Sequence, residues 1–85
     1  MTIRTPLSAR AAARVLASIV RRVLAAGLSA PCFAVLFGGE ASVVVGDTCL
    51  CRFADVQNGV EIEWAPYSGE ARSLLLPLLA AALDG

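Results

Sequence analysis

The segment from Pro6 to Ala26 constrains the fold most, because it contains no glycine and no acidic residue and its apolar residues recur at helical spacing. At about 100° per residue, one half of a helix collects the apolar side chains and the other half collects the arginines. Thr5 is a suitable N-cap before Pro6, and Gly27 is a suitable stop signal. The pattern predicts an amphipathic helix about 30 Å long, whose apolar side must be covered by the rest of the chain.

After this helix the spacing of apolar residues changes to the two-residue alternation of β-strands. Three turn-forming pairs, Gly38-Gly39, Gly46-Asp47 and Asn58-Gly59, separate four segments rich in β-branched, aromatic or Cys residues. We expect strands over Cys32–Phe37, Glu40–Val45, Thr48–Val56 and Val60–Ala65. Tight turns between consecutive strands predict an antiparallel meander.

Two-residue turns also fix the register and therefore the two faces of the sheet. They place Ser42 opposite Cys51 and Phe53 opposite Trp64, and they gather every Phe and the only Trp on one face. We expect this aromatic face to be the core, with the members Phe33, Val35, Phe37, Val44, Cys49, Cys51, Phe53, Val60, Ile62 and Trp64. The other face holds an apolar cluster and a charged part, composed of Leu36, Val43, Val45 and Leu50 and of Arg52, Glu61 and Glu63.

A second helix is predicted near the end of the chain. Ser68 is a suitable N-cap, Glu70 falls in the first turn, and residues 71–83 are mostly Leu and Ala. Pro77 predicts a kink or two short helices. We expect one α+β domain over residues 1–85, a two-layer sandwich in the order α-β-β-β-β-α, in which a four-stranded antiparallel meander carries both helices on its aromatic face.

The composition predicts an interface. The chain has 85 residues and is 58% hydrophobic, which is more apolar material than so small an interior can hold. Two helices cover only one face of the sheet, so Leu36, Val43, Val45 and Leu50 would stay exposed on the other. We expect these four residues to form the interface of a homodimer.

The residue types for catalysis and for metal binding are few. There is no His, and Cys32, Cys49 and Cys51 lack the partners of a zinc site. Glu61 and Glu63 lie on one strand face, but alternating acids at a sheet edge are more typical of a solvated surface than of an acid–base pair. We therefore expect no enzyme, no cofactor and no metal site.

Charge is distributed unevenly along the chain. Residues 1–39 carry five Arg and no acid, which gives +5, and residues 40–85 carry seven acids and two Arg, which gives −5. The two halves could compensate each other in the fold. The alternatives are that Arg10, Arg14, Arg21 and Arg22 form a basic stripe for an acidic partner or for phosphates, and that Glu61 and Glu63 meet a basic partner.

We expect a small non-enzymatic protein that acts by protein–protein binding in the cytoplasm. An inhibitor or adaptor of bacterial or phage origin, of the anti-CRISPR kind, fits the size and the acidic sheet. The first alternative is a nucleic-acid-binding module that uses the basic stripe, because a row of arginines can follow a line of phosphates. The order helix, strands, helix resembles that of the double-stranded-RNA-binding domain in topology alone, since that domain has one strand fewer and a Lys-rich start of its second helix. The second is a subunit of a larger assembly. The apolar runs are too short to cross a membrane.

Overall fold

The computed structural model describes residues 1–24, 32–37, 40–66 and 69–84. Two helices and five strands follow one another along the chain. They are β1 (Thr2–Arg4), α1 (Ala9–Leu24), β2 (Cys32–Phe37), β3 (Glu40–Val45), β4 (Thr48–Val56), β5 (Gly59–Trp64) and α2 (Gly69–Asp84). The predicted α+β fold, with a four-stranded antiparallel meander between two helices, is confirmed.

A short N-terminal strand adds to this meander. The sheet has the order β1-β5-β4-β3-β2, and β1 pairs antiparallel with β5 so that Ile3 lies opposite Val60. Sequence reasoning missed β1 because a three-residue strand is too short to show an alternating pattern. The addition leaves β2 as the opposite edge of the sheet.

Helix α1 begins three residues later than predicted. Ser8 is its N-cap, since the Ala11 amide donates to Ser8 Oγ over 3.2 Å. The Ala9 amide donates to Asp55 Oδ1 over 2.7 Å, which ties the positive end of the helix dipole to β4. Thr5, the predicted cap, is buried instead, and its hydroxyl accepts from the Leu7 amide over 3.2 Å.

The turns follow the prediction in two places and differ in one. Phe37 pairs with Glu40 as expected, although Gly38 and Gly39 themselves lie outside the described residues. Gly46 and Asp47 form the next loop, and Gly46 has a φ of 61°. The last loop is Gln57-Asn58, because Asn58 takes the left-handed conformation with φ of 66°.

Because the last loop lies one residue earlier than predicted, the partner of each β4 residue in β5 shifts by two residues. Phe53 lies opposite Ile62, and Trp64 lies opposite Cys51. The predicted pair of Phe53 and Trp64 is therefore wrong. Trp64 is half-buried at the margin of the core, whereas Phe53 and Ile62 lie within it.

A β-bulge between β3 and β4 decides which residues face the helices. Val44 pairs with Cys49 as predicted, but Val43 pairs with Cys51, so Leu50 is an extra residue in β4. Leu50 and Cys51 are consecutive and both are buried. The predicted register, which has no bulge, puts Val44 and Cys51 on the same face of the sheet. Because the extra residue reverses the alternation, they lie on opposite faces.

The predicted dimer surface is wrong, because this reversal places its described residues in or against the core of the single chain. Val43 is 0% exposed and Leu50 is 8% exposed, and both belong to the core of the single chain. Val45 is half-buried and packs against the same core. The fourth predicted member, Leu36, has a side chain outside the described part of the structure. Val43, Val45 and Leu50 therefore do not form an exposed patch for a second copy.

The two helices form one layer on the core side of the sheet. Helix α1 lies mainly over β2 and β3, and α2 packs mainly against α1. Leu75, Leu79 and Leu83 of α2 are buried, at the four-residue spacing of one helix face. α2 is one helix that contains Pro77, not two short helices. Ser68, its predicted cap, lies outside the described residues.

Among the side chains that the structure describes, Phe53 is the largest that is fully buried, and we expect it to be the most sensitive core position. Phe53→Ala should lower the free energy of unfolding by about 3–5 kcal/mol, since it leaves a cavity under α1. Val56→Ala, at an exposed position of the same strand, is the control. Chemical denaturation measures both, and similar stabilities for the two variants would place Phe53 outside the core.

Gly59 has no room for a side chain, because a Cβ there would lie 2.1 Å from the Ile3 carbonyl oxygen. Gly59→Ala should therefore push β1 away from β5 or lower the free energy of unfolding by about 1–3 kcal/mol. Gly69→Ala is a matched control, since a Cβ at Gly69 meets nothing within 4 Å. Hydrogen exchange of the Thr2 to Arg4 amides, with a denaturation curve, gives the readout. Unchanged exchange and stability in Gly59→Ala would refute the packing of β1.

Candidate protein-binding surfaces

The face of the sheet opposite the helices, here the outer face, carries the acidic residues Glu40, Glu61 and Glu63 around Arg52. Arg52 Nη2 donates to Glu63 Oε1 over 2.8 Å, and both side chains are more than half exposed. The hydrogen bond and the charge of Glu63, followed by the charge of Glu40, raise the pKa of Arg52. We call these three acids the acidic patch. It holds three negative charges against two positive charges, those of Arg52 and of the Met1 amino group.

Glu61 also holds β1 in place. The Met1 amino group donates to Glu61 Oε1 over 2.9 Å, and the Thr2 hydroxyl donates to the other carboxylate oxygen. The hydrogen bond from the amino group, and next the one from Thr2, lower the pKa of Glu61. The sequence predicted Glu61 and Glu63 as a surface for a partner. In the structure Glu61 is engaged with β1 and Glu63 is engaged with Arg52.

The predicted basic stripe is exposed but divided. Arg10, Arg14 and Arg21 lie within about 40° of one another around α1, and Arg22 lies about 100° away from them. All four side chains are exposed. No carboxylate of the described residues comes within ion-pair distance of any of them, and Arg21 Nε donates to the Ala17 carbonyl over 3.3 Å. We call Arg10, Arg14 and Arg21 the basic row.

The basic and acidic charges therefore lie on opposite sides of the molecule. The basic row is part of the helix layer, and the acidic patch lies on the outer face of the sheet. Among the described residues, the Met1 amino group forms an ion pair with Glu61 between the two halves of the chain, but the α1 arginines have no carboxylate within ion-pair distance. Each charged surface is available to a partner of opposite charge.

The outer side of the helix layer carries an apolar stripe along each helix. Val15, Ile19 and Val23 recur every four residues in α1, and Leu74, Leu78 and Ala82 do so in α2. Clefts of about 270 and 320 Å³ lie between the helices and are lined by members of both stripes and by Ser18 and Arg22. Leu74 is 49% exposed and Leu78 is 42% exposed. We call these six residues the interhelical seam.

Sequence reasoning did not identify the seam, because it assigned the apolar residues of both helices to the core. A helix with Leu or Ala all around gives no signal for which side is covered. Which side chains of α2 are exposed depends on where α1 packs against it. In the seam, Val23, Leu74 and Leu78 are the large apolar side chains that are exposed.

The β2 edge is the fourth candidate surface. β2 pairs with β3 on one side, and within the described residues no strand pairs with it on the other. Its sequence, Cys32 to Phe37, contains no charge, no Gly and no Pro. Natural sheets usually protect an edge with such residues, so an unprotected apolar edge favours pairing with another chain.

Outside these surfaces, the polar groups of note are two thiols and one indole nitrogen. Within the described residues, no group of three or more His, Cys, Asp or Glu side chains is placed to hold a metal ion. Cys51 is buried and Cys49 is half-buried, and the Cys49 thiol donates to the Cys51 carbonyl over 3.6 Å. Trp64 Nε1 is buried without an acceptor among the described residues. Neither described helix is long and apolar enough to span a membrane.

Comparison of the chain with protein-family models, with curated proteins and with solved structures gave no match. A function for this chain is therefore inferred from its own surfaces.

Proposed function

We propose that this chain is a non-enzymatic protein that acts by binding other proteins, and that it works as a homodimer joined at the interhelical seam. The observation that carries the proposal is the exposure of Leu74 and of Leu78, the second of which lines an α1–α2 cleft. Exposed apolar patches on small proteins usually mark interaction surfaces. The excess of apolar residues in the composition supports the same conclusion.

The size of the helix layer is compatible with a dimer. Each helix has 16 residues and is therefore about 24 Å long, and two packed helices are about 20 Å wide. The contact would bury roughly 450 Å² on each copy, or about 900 Å² in total, which is at the low end of specific interfaces. A dimer with a micromolar dissociation constant fits this area.

A second copy suits the seam because both stripes have the four-residue spacing that packs helices ridge into groove. A twofold axis through the seam would build a four-helix layer between two sheets. Arg22 lines both clefts, so its aliphatic stem would pack within this contact while its guanidinium extends toward water. The acidic patch and the β2 edge would stay exposed on both copies.

The role of inhibitor or adaptor, of bacterial or phage origin and in the cytoplasm, belongs to the same proposal. It is supported by the small size, by the separated charged surfaces and by thiols that need no disulfide framework. A subunit of a larger assembly would present the same exposed seam, but with a different chain as its occupant.

Nucleic-acid binding by the basic stripe is the alternative function. The observation in its favour is that all four α1 arginines are exposed and have no carboxylate partner in the described structure. Phosphate contacts of this kind would make the affinity fall steeply with salt. The absence of Lys and the acidic patch on the opposite face oppose it. We expect no micromolar binding of DNA or RNA at about 150 mM salt.

Leu78→Glu tests the dimer, since it places a charge in the seam at a position that the single chain leaves exposed. Light scattering should give the wild type twice the chain mass of 8.8 kDa at micromolar concentration and the variant one chain mass. Ala80→Glu, at an exposed position on the opposite side of α2, should remain dimeric.

A wild type that is monomeric at these concentrations would contradict the homodimer. A Leu78→Glu protein that stays dimeric would place the interface elsewhere. Circular dichroism of both variants separates loss of pairing from loss of folding.

A further inference from the structure

The β2 edge and the basic row lie beside each other. Around α1, the seam residues lie on one side of the buried stripe and the basic row lies on the other. Because α2 packs along the seam side and α1 lies over β2 and β3, the basic row faces the β2 side of the molecule. The free side of β2, which has no partner strand within the described residues, and the exposed basic row thus border the same margin of the fold.

We propose that this margin binds an extended acidic segment of another protein as an additional strand of the sheet. The segment would hydrogen-bond to the backbone of β2, and its acidic side chains would face the basic row. This surface is separate from the seam, so the inference does not depend on the dimer.

The spacing of charges supports an extended segment. Arg10 and Arg14 are four residues apart on a helix, which is about 6 Å along its axis. Side chains on one face of a strand repeat every two residues, which is about 6.7 Å. Acidic residues at alternate positions of a strand would therefore meet Arg10 and Arg14 in turn. β2 has six residues, so it can pair with a segment of similar length.

A second copy of this chain is a poor occupant of the margin. Symmetric pairing of two β2 edges would bring the two α1 helices together on the sides that carry the basic rows. Six arginines would then face one another, and α1 contains no acidic residue to separate them. Repulsion between like charges disfavours this arrangement, whereas an acidic segment neutralises the row.

A nucleic acid is also less suited than a polypeptide. It could bind the arginines, but it has no backbone amides to pair with a strand edge. Only an extended polypeptide uses both features of the margin. The chemistry of the partner is thus an acidic, extended protein segment, added by strand pairing.

The test uses a fluorescent peptide of about eight alternating Thr and Glu residues, long enough to span β2. Fluorescence anisotropy with the full chain should show binding that weakens as salt is raised. Two peptides serve as controls, one with Lys in place of Glu and one with N-methyl groups on alternate backbone nitrogens. Both should bind about tenfold more weakly or not at all, because the first reverses the charge and the second blocks strand pairing.

The protein variants assign the arginines. Arg10→Ala with Arg14→Ala should weaken peptide binding about tenfold. Arg72→Ala, which removes an exposed arginine of α2, should bind as the wild type does. All of these side chains are exposed, so the variants should fold, and light scattering should show their association unchanged.

Several results would overturn the proposal. They are no binding of the Thr–Glu peptide, equal binding of the N-methylated peptide, and equal binding by the double arginine variant. A duplex or single-stranded oligonucleotide that binds more tightly than the peptide and displaces it would assign the basic row to nucleic acid instead. Failure of peptide binding with an intact dimer would refute this inference alone, and loss of the dimer with intact peptide binding would refute only the seam.

Discussion

The β-bulge at Val43 and Val44 is the constraint on which the rest of the structure depends. Leu50 is one extra residue in β4, where this strand pairs with β3. On the two sides of this residue, the alternation of inward and outward side chains is reversed. The bulge turns Leu50 and Cys51 toward the helices together and puts Val43 under α1. The bulge thus decides which side chains of the sheet are buried and which are exposed to partners.

This constraint explains why the charged surfaces do not neutralise each other. With Cys51 and Phe53 directed to the core, Arg52 lies on the outer face, where it meets Glu63 across the hairpin. The arginines of α1 are in the other layer and point to solvent. A chain with zero net charge thus presents a basic margin and an acidic face, which suits contacts with two different surfaces.

The sequence predicted the elements well because each has a local signal. The bounds of β2, β3 and β4 agree with the turn assignments, and the alternation of apolar and basic residues located α1. The caps were less predictable, since Thr5 and Ser8 are both suitable and the choice depends on Asp55 reaching the Ala9 amide from a distant strand.

The sequence pattern could not predict which residues of the sheet face the helices. A bulge adds one residue to a strand and leaves no mark where consecutive residues are all apolar, as Cys49, Leu50 and Cys51 are, so the sequence could not show that Leu50 is inserted. Gly59 was assigned to a turn because Asn-Gly is a strong hairpin signal, whereas its role is to let β1 approach. For the candidate site, the exposure of the basic stripe agreed with the prediction, but the seam depends on how α2 packs, which is a tertiary property.

The reactivity of single thiols tests the bulge most directly. In two variants that keep only Cys49 or only Cys51, the other cysteines being replaced by Ser or Ala, the rate of alkylation in the native state reports which side chain is exposed. The structure predicts that Cys49, which is half-buried, reacts much faster than Cys51, which is 1% exposed. Without the bulge both residues would lie on one face of β4. Equal rates of alkylation would contradict the account, and with it the assignment of the core face.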